Sequence, residues 1–394
     1  MVGRCRPICG ALPPGAQVNV LCYMQPQRGG GVARHALEMV NGLARQPDFQ
    51  CSLFASGPDL RHHASFRGQF PGLPVQSHPL PGIWAERAWK TIGWPTLERR
   101  CRGFDVIYSP VEVRLPGCRI PSIVTIHDVQ ALETDLPWSR SASHLAFRKK
   151  WLRWLPCLLD EATRIATVSE FSRQRLIALL NADPNRVTVV GNGVSSVFFR
   201  SPDVGDDSPP KPAVIVIGGL RMKKGAEHTL AVAAELQRRR SELVINVYGQ
   251  HDPDWVPRAA AHPNVRLHGY ADDAELARRL GESTALLFLS PYEGFGIPAI
   301  EAMASGAPAV VSGCASLPEV VGDAGIIVDA ASPTIVADTL ERLRADLVFR
   351  RRKVAAGRQR AERFTWASCV SRLAALVGEV AGRITSQPPP PQHA

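Results

Sequence analysis

The sequence predicts an α/β protein of two doubly wound, Rossmann-like domains, and three observations carry that prediction. The chain has 394 residues, more than one hydrophobic core ordinarily holds, and suits two domains of roughly 150 to 200 residues. Short apolar runs of strand type alternate with helix-type runs through both halves, the pattern of parallel sheets covered on both faces. The halves are divided at 199–212 by FRSPDVGDDSPPKP, whose Pro, Asp and Gly content reads as a linker. Domains are therefore expected over 1–198 and 213–384, with the final helix packing back toward the first domain. A disordered tail, ending in SQPPPPQHA, is expected over 385–394.

In the first half, QVNVLCYM at 17–24 reads as a strand and VARHALEMVNGLA at 32–44 as a helix. QCSLFAS at 50–56, FDVIYSP at 104–110, SIVTIHD at 122–128 and RIATVSE at 164–170 read as further strands. The string FRKKWLRWLPCLL at 147–159 places Phe147, Trp151, Trp154, Leu155 and Leu158 on one helical face, with Arg148, Lys149, Lys150 and Arg153 largely elsewhere. Two readings of that helix stand: a core-facing element, or one that docks on a membrane surface. In the second half, AVIVIGGL at 213–220 is a strand, HTLAVAAELQRRR at 228–240 a helix, and LVINVYGQ and NVRLHGY at 243–250 and 264–270 are strands. DAELARRL at 273–280 is a helix leading to a buried strand, ALLFLS, at 285–290.

Composition excludes several classes. No apolar run approaches the 18 or so residues of a membrane span, and the first 30 residues lack a continuous apolar signal core, so the chain is expected in the cytoplasm. The nine cysteines are odd in number and scattered, with one close pair, Cys5 and Cys9, so neither a disulfide framework nor a zinc site is expected. No G-x-G-x-x-G opens a helix after a strand, which argues against a nicotinamide cofactor. The net charge of +10 is unevenly placed: residues 1–200 hold 24 Lys+Arg against 14 Asp+Glu, and residues 201–394 hold 22 against 22. Six of the eight tryptophans, at 84, 89, 94, 138, 151 and 154, share the basic half, which is the half expected to meet an anionic partner or surface.

The chemistry concentrates in SPYEGFGIPAIE at 290–301. Open parallel sheets bind ligands beyond the carboxyl ends of their strands, and this segment follows a buried strand. Pro298 suits the first turn of a helix and Gly306 its C-terminal cap, so a helix is expected over about 298–305. Its free N–H groups and positive dipole end can hold a phosphate, and Gly294 and Gly296 let backbone approach a ligand closely. Glu293 in the loop and Glu301 in the helix then set two carboxylates either side of phosphate-binding amides. That layout fits a ligand with hydroxyls at both ends and a diphosphate between them, as in a nucleotide sugar.

With these residues in place, the chain resembles the retaining glycosyltransferases of family 4, which have the GT-B fold, two Rossmann-like domains facing across a cleft. The resemblance rests on E-x7-E, Glu293 and Glu301, within EGFGIPAIEAMASGAPAVVS, followed by LPEVVGDAG at 317–325. It extends through RGGGVARHALEMVNGL, TIHD, ATVSEFSR, VVGNGV, GGLRMKKG, HGYADDAEL and RFTW, in that order along the chain. It implies an acceptor-binding first domain and a nucleotide-sugar-binding second domain. It further implies that Glu293 contacts hydroxyls of the donor sugar, that Glu301 contacts the ribose, and that amides around Phe295 and Gly296 hold sugar and diphosphate. Lys224, with Lys223 in the position of the family's arginine, would neutralise the diphosphate; His127 would lie over the donor sugar; Gly30 and Gly31 would belong to a loop that approaches phosphate and acceptor. Where many relatives have G-R, this chain has Gly218-Gly219, with Arg221 two residues later, either substituting or pointing to solvent.

The resemblance implies hexosyl transfer with retention, from a nucleotide diphosphate sugar to a glycan or a polyprenol- or lipid-linked acceptor, in bacterial-type surface polysaccharide synthesis. Mannose from GDP-mannose is the preferred donor and UDP-linked hexoses come next. No cofactor, metal or nucleic acid is expected, and peripheral contact with an anionic inner membrane face is. Three readings compete with this one: an epimerase of the same fold, a metal-dependent inverting transferase using Asp252-Pro253-Asp254, and a non-catalytic two-lobed binding protein.

Overall fold

A computed structural model of the protein describes residues 16–25, 30–62, 64–199 and 210–382. Cys5 and Cys9, residues 200–209 of the expected linker and the tail over 385–394 lie outside the described residues. The chain forms two compact units: residues through Gly193 together with those from Trp366 onward, and Val194–Thr365.

The first unit is built on β1 (Val18–Tyr23), β2 (Phe49–Ser56), β3 (Val75–His78), β4 (Val106–Ser109), β5 (Ser122–Ile126), β6 (Arg164–Thr167) and β7 (Val187–Val189), in the order β3-β2-β1-β4-β5-β6-β7. Each described pairing is parallel. Because both faces are covered, the central strands are buried almost throughout, as the continuous apolar runs FDVIYSP and SIVTIHD require. One face carries the Gly30–Ala44 helix and, from the far end of the chain, the Trp366–Val380 helix. Those two helices approach so closely that a Cβ on Gly42 would overlap a methyl group of Val370. The other face carries the helices Gly82–Ile92 and Ala142–Glu161.

Ala142–Glu161 is the helix with two candidate readings. Trp154, Leu155, Leu158 and Leu159 are buried against the sheet, so its C-terminal half is a core element. The single face expected from the sequence does not hold along its length: Phe147 is exposed, with Leu145 and Leu152. Lys149, Lys150 and Arg153 are exposed too. No described helix is long and apolar enough to cross a membrane.

The second unit comprises β8 (Lys211–Ile217), β9 (Val244–Tyr248), β10 (Val265–His268), β11 (Ser283–Phe288), β12 (Ala309–Ser312) and β13 (Ile326–Val328), again parallel, in the order β10-β9-β8-β11-β12-β13. The strand order reverses between β8 and β11, and a doubly wound sheet opens its ligand crevice beyond the carboxyl ends of such a neighbouring pair. The two segments that follow these strands, 218–225 and 289–296, hold most of the second-half candidate residues. Both doubly wound sheets are those the alternating pattern predicts.

Candidate active site

After β8 the chain turns on Gly218 and Gly219, with φ of 111° and 79°. Both amides donate to the carbonyl of Tyr248, at 3.0 and 2.8 Å, which folds the loop onto the end of β9. A Cβ on Gly219 would overlap the carbonyl of Gln250, so no other residue fits there. His251 pins the same loop from below: its Nδ1 accepts from the Leu220 amide at 3.0 Å and its Nε2 donates to the carbonyl of His268 at 2.8 Å. The chain then makes a short turn over Met222–Lys224 and closes on Gly225, whose missing side chain lets it lie against the Leu289 carbonyl at the end of β11.

That closure sets Lys224 over the seam between β8 and β11. Its aliphatic stem lies against Gly218, its Nζ is 5.7 Å from the centroid of the Phe288 ring, and it donates to Glu293 Oε1 at 2.7 Å. The pair is mostly shielded from water, so the attraction is stronger than for a surface pair. Arg221 is engaged elsewhere, its Nε donating to Asp252 Oδ1 at 3.2 Å, and Lys223 is exposed. Asp252, the first carboxylate of the D-x-D triplet, is thereby committed to a guanidinium. Among the described residues no group of three His, Cys, Asp or Glu side chains is disposed to hold a metal.

The loop carrying Glu293 is held from β12 and the turn after it. Ser312 Oγ donates to the Ser290 carbonyl at 2.6 Å, and Ser316 Oγ donates to the carbonyls of both Glu293 and Phe295 at 2.9 Å. Phe295 is buried edge-on against Phe364, with ring centroids 5.7 Å apart. Gly294 is half-buried beside it. Gly296, at φ 96°, turns the chain into the Ile297–Ala304 helix, one residue earlier than the sequence suggests, with Pro298 in the first turn as expected. Glu301 lies one turn inside that helix and is 5% exposed. Gly219, Arg221, Lys223 and Lys224 thus belong to the segment following β8, and Glu293, Gly294, Phe295 and Gly296 to the segment following β11, with Glu301 in the helix after it.

Gly30, Gly31 and His127 lie in the first unit. Gly30 starts the Gly30–Ala44 helix at φ 85°, and Gly31 is exposed. His127 follows β5: its amide donates to Glu112 Oε1 at 2.8 Å and its Nε2 donates to the carbonyl of Pro110 at 2.9 Å, which places the ring proton on Nε2. Against it, edge to face with centroids 4.7 Å apart, packs His35. His35 is fully buried, its Nδ1 donates to Asn192 Oδ1 at 2.7 Å, and its Nε2 has no partner among the described residues. Burial first, and the neighbouring His127 second, hold the pKa of His35 well below the ordinary imidazole value. Sequence reasoning missed His35, Asn192 and His251. The first two sit inside the quoted strings RGGGVARHALEMVNGL and VVGNGV, but nothing local says that they meet.

Two doubly wound units of parallel strands, with a glycine-shaped cationic loop and a paired carboxylate after the two strands where the order reverses, make the chain a glycosyltransferase of the GT-B fold. Residues 29–197 match the family model described as Glycosyltransferase Family 4, and residues 211–346 match the model described as Glycosyl transferases group 1. The chain belongs to glycosyltransferase family 4. It is 28% identical over 385 residues to the O-antigen chain mannosyltransferase B of Escherichia coli, covering 87% of this chain and 94% of that protein. Among solved structures it is similar to a glycosyltransferase from Rickettsia africae, at TM-score 0.67 and 15% identity, covering 92% of this chain and 98% of that one. It is also similar to Anabaena HepE in complex with UDP-glucose, at TM-score 0.66 and 16% identity, covering 92% of this chain and all of the other.

Proposed function

We propose that the protein is a retaining hexosyltransferase that moves mannose from GDP-mannose to a glycan or a polyprenol- or lipid-linked acceptor in surface polysaccharide synthesis. The observation that carries the reading is the Lys224–Glu293 pair above the β8/β11 seam, beside the N-terminus of the Ile297–Ala304 helix. Departure of a nucleoside diphosphate builds negative charge while the sugar becomes cationic. A fixed ammonium, loop amides and a helix N-terminus stabilise the first, and a carboxylate holding sugar hydroxyls orients the second. No side chain in the two segments is disposed as an obvious covalent nucleophile, which fits a front-face substitution in which the leaving phosphate helps take the acceptor's proton. Lys224 supplies the charge that a divalent ion supplies in other transferases, so the reaction is read as metal-independent. The choice of mannose is supported by similarity to the E. coli O-antigen mannosyltransferase. A second reading, a UDP-linked hexose, is favoured by the likeness to a structure holding UDP-glucose.

The test is a panel of radiolabelled nucleotide sugars assayed for hydrolysis and for transfer to a lipid extract, with and without EDTA. GDP-mannose is expected to turn over fastest, with the product anomer retained and activity surviving chelation. Inversion at the anomeric carbon, or complete inhibition by EDTA reversed by Mg²⁺, would overturn the mechanism. Preference for a UDP-sugar would overturn the donor alone.

A further inference from the structure

Two thiols from separate segments meet in the first unit. Cys101 lies in a turn between the Gly82–Ile92 helix and β4, and Cys118 lies in the connection from β4 to β5. Their Sγ atoms are 3.4 Å apart, and a disulfide bond is about 2.05 Å long, which leaves about 1.4 Å to close. The two segments are already joined around the sulfurs. The Leu97 amide donates to the Pro116 carbonyl at 3.0 Å, the Cys101 amide donates to the Leu97 carbonyl at 3.1 Å, and Arg119 pairs with Glu98 at 3.2 Å. Thr96 packs so tightly against Gly117 that a Cβ there would lie 2.7 Å from its side chain.

The two thiols differ in ways that suit different steps. Cys101 is 3% exposed, whereas Cys118 is half-buried and open to a reagent from solvent. The Cys118 S–H has two acceptors in reach, Cys101 Sγ and, at 3.5 Å, the Ile120 carbonyl. Hydrogen bonding from Cys118 lowers the pKa of Cys101 against the opposing effect of burial. Access therefore belongs to Cys118 and thiolate character to Cys101. A second interacting pair, Cys22 and Cys51 on the neighbouring strands β1 and β2, is buried in the sheet, and there hydrogen bonding to Cys51 and burial raise the pKa of Cys22 instead.

We propose that Cys101 and Cys118 form a reversible redox site, oxidised to an intramolecular disulfide by a low-molecular-weight disulfide such as oxidised glutathione. Cys118, its proton lost to solvent, attacks one sulfur of the small disulfide; that S–S bond breaks and one small thiol leaves. Cys101 then attacks Cys118 Sγ, the mixed S–S bond breaks, and the second small thiol leaves. Two electrons pass from the protein to the oxidant, which departs as two thiols, and excess small thiol reverses both steps. The bridge ties the Cys101 turn to the connection that begins with Pro110 and Glu112, the two partners of His127, so oxidation tightens the segment that holds a candidate site residue. The inference goes beyond the transfer reaction and does not depend on the donor or the mechanism.

The test treats the full chain with oxidised and reduced glutathione in a series of ratios, blocks the remaining free thiols, and reads each cysteine by peptide mass spectrometry. The parent is expected to give a Cys101–Cys118 cross-linked peptide in oxidising mixtures and to lose it on return to excess reduced glutathione. Cys101→Ser should stop at a glutathione adduct on Cys118, and Cys118→Ser should leave Cys101 unmodified. The oxidised parent should unfold at a urea concentration higher by about 1 M than the reduced one, because the bridge links residues 17 apart in sequence; neither variant should show that shift. The cross-link is read on the parent, so the test stands even where a variant folds poorly. Free thiols at both positions throughout the series would overturn the proposal. So would a lasting glutathione adduct on Cys118 of the parent, since Cys101 would then be unable to displace it.

Discussion

Lys224 Nζ reaches Glu293 Oε1 at 2.7 Å across 69 residues of sequence, joining the loop after β8 to the loop after β11. Each loop is held by its own glycines and by hydrogen bonds from a neighbouring strand end or turn, so the pair is met by two preformed supports. Replacing either partner leaves the other's charge in a mostly shielded place.

For Glu293→Ala, turnover is expected to fall by at least about two orders of magnitude, since a carboxylate hydrogen bond that tightens in the transition state is worth roughly 3 kcal/mol. The melting transition should stay cooperative. Near-normal kcat with normal donor KM would remove Glu293 from the site.

Lys224→Ala should weaken the intact donor and the nucleoside diphosphate product together, each by about tenfold or more, as expected for loss of a charge-assisted contact. Binding of the nucleoside without phosphates should be unchanged. Calorimetric titration of all three ligands decides the matter, because an equal loss for the nucleoside would point to a disturbed loop instead.

Gly219→Ala puts a Cβ into the Gln250 carbonyl at a φ of 79°. The strained conformation alone costs on the order of 1–3 kcal/mol, and relief of the overlap must move the 218–225 loop that positions Lys224. Lower stability in urea with weaker donor binding is expected. A variant with parental stability and affinity would show that the loop can relax freely.

His35 gives a pH dependence. It is neutral in the fold because its pKa is held well below the ordinary value, whereas in the unfolded chain it takes up a proton near pH 6.5. Its contribution to stability is therefore complete above about pH 6.5 and declines as the pH falls below that, by up to about 1.4 kcal/mol per unit. His78, also lowered chiefly by burial, adds a smaller effect of the same sign. Urea midpoints followed by tryptophan emission between pH 5 and 8 should show a shallower acid-side slope for His35→Gln than for the parent. Identical slopes would mean that His35 is protonated in the fold.

The candidate residues of the two units differed in how far sequence reveals them. The strands beneath the loops at 218–225 and 289–296 are parallel and covered on both faces, so β8 and β11 read as largely apolar runs, and glycines in the loops beyond them mark the turns. Strands such as VQSH at 75–78 and IIV at 326–328 are short and only partly buried, and give no such signal. Side-chain partnerships were least visible. His35 and Asn192 are 157 residues apart and meet only because β1, β4, β5 and β6 are neighbours, a fact of topology that no local pattern carries. The helix at 142–161 misled because one face was assumed along its whole length, whereas its two halves lie in different surroundings.

The Trp366–Val380 helix gives the protein a schedule. Its Cys369, Val370, Leu373, Leu376 and Val377 complete the core that begins with Val18 and Val20, so a unit begun before Val194 is finished by a helix made after Thr365. Between them comes all of Val194–Thr365, whose two ends meet where the Val194 amide donates to the Phe364 carbonyl at 2.9 Å. At roughly 5–20 residues per second, the apolar face of the Gly30–Ala44 helix waits on the order of 15–65 s for its cover. A premature stop just before Trp366 would thus spare the loops at 218–225 and 289–296 and leave the other unit with an open core.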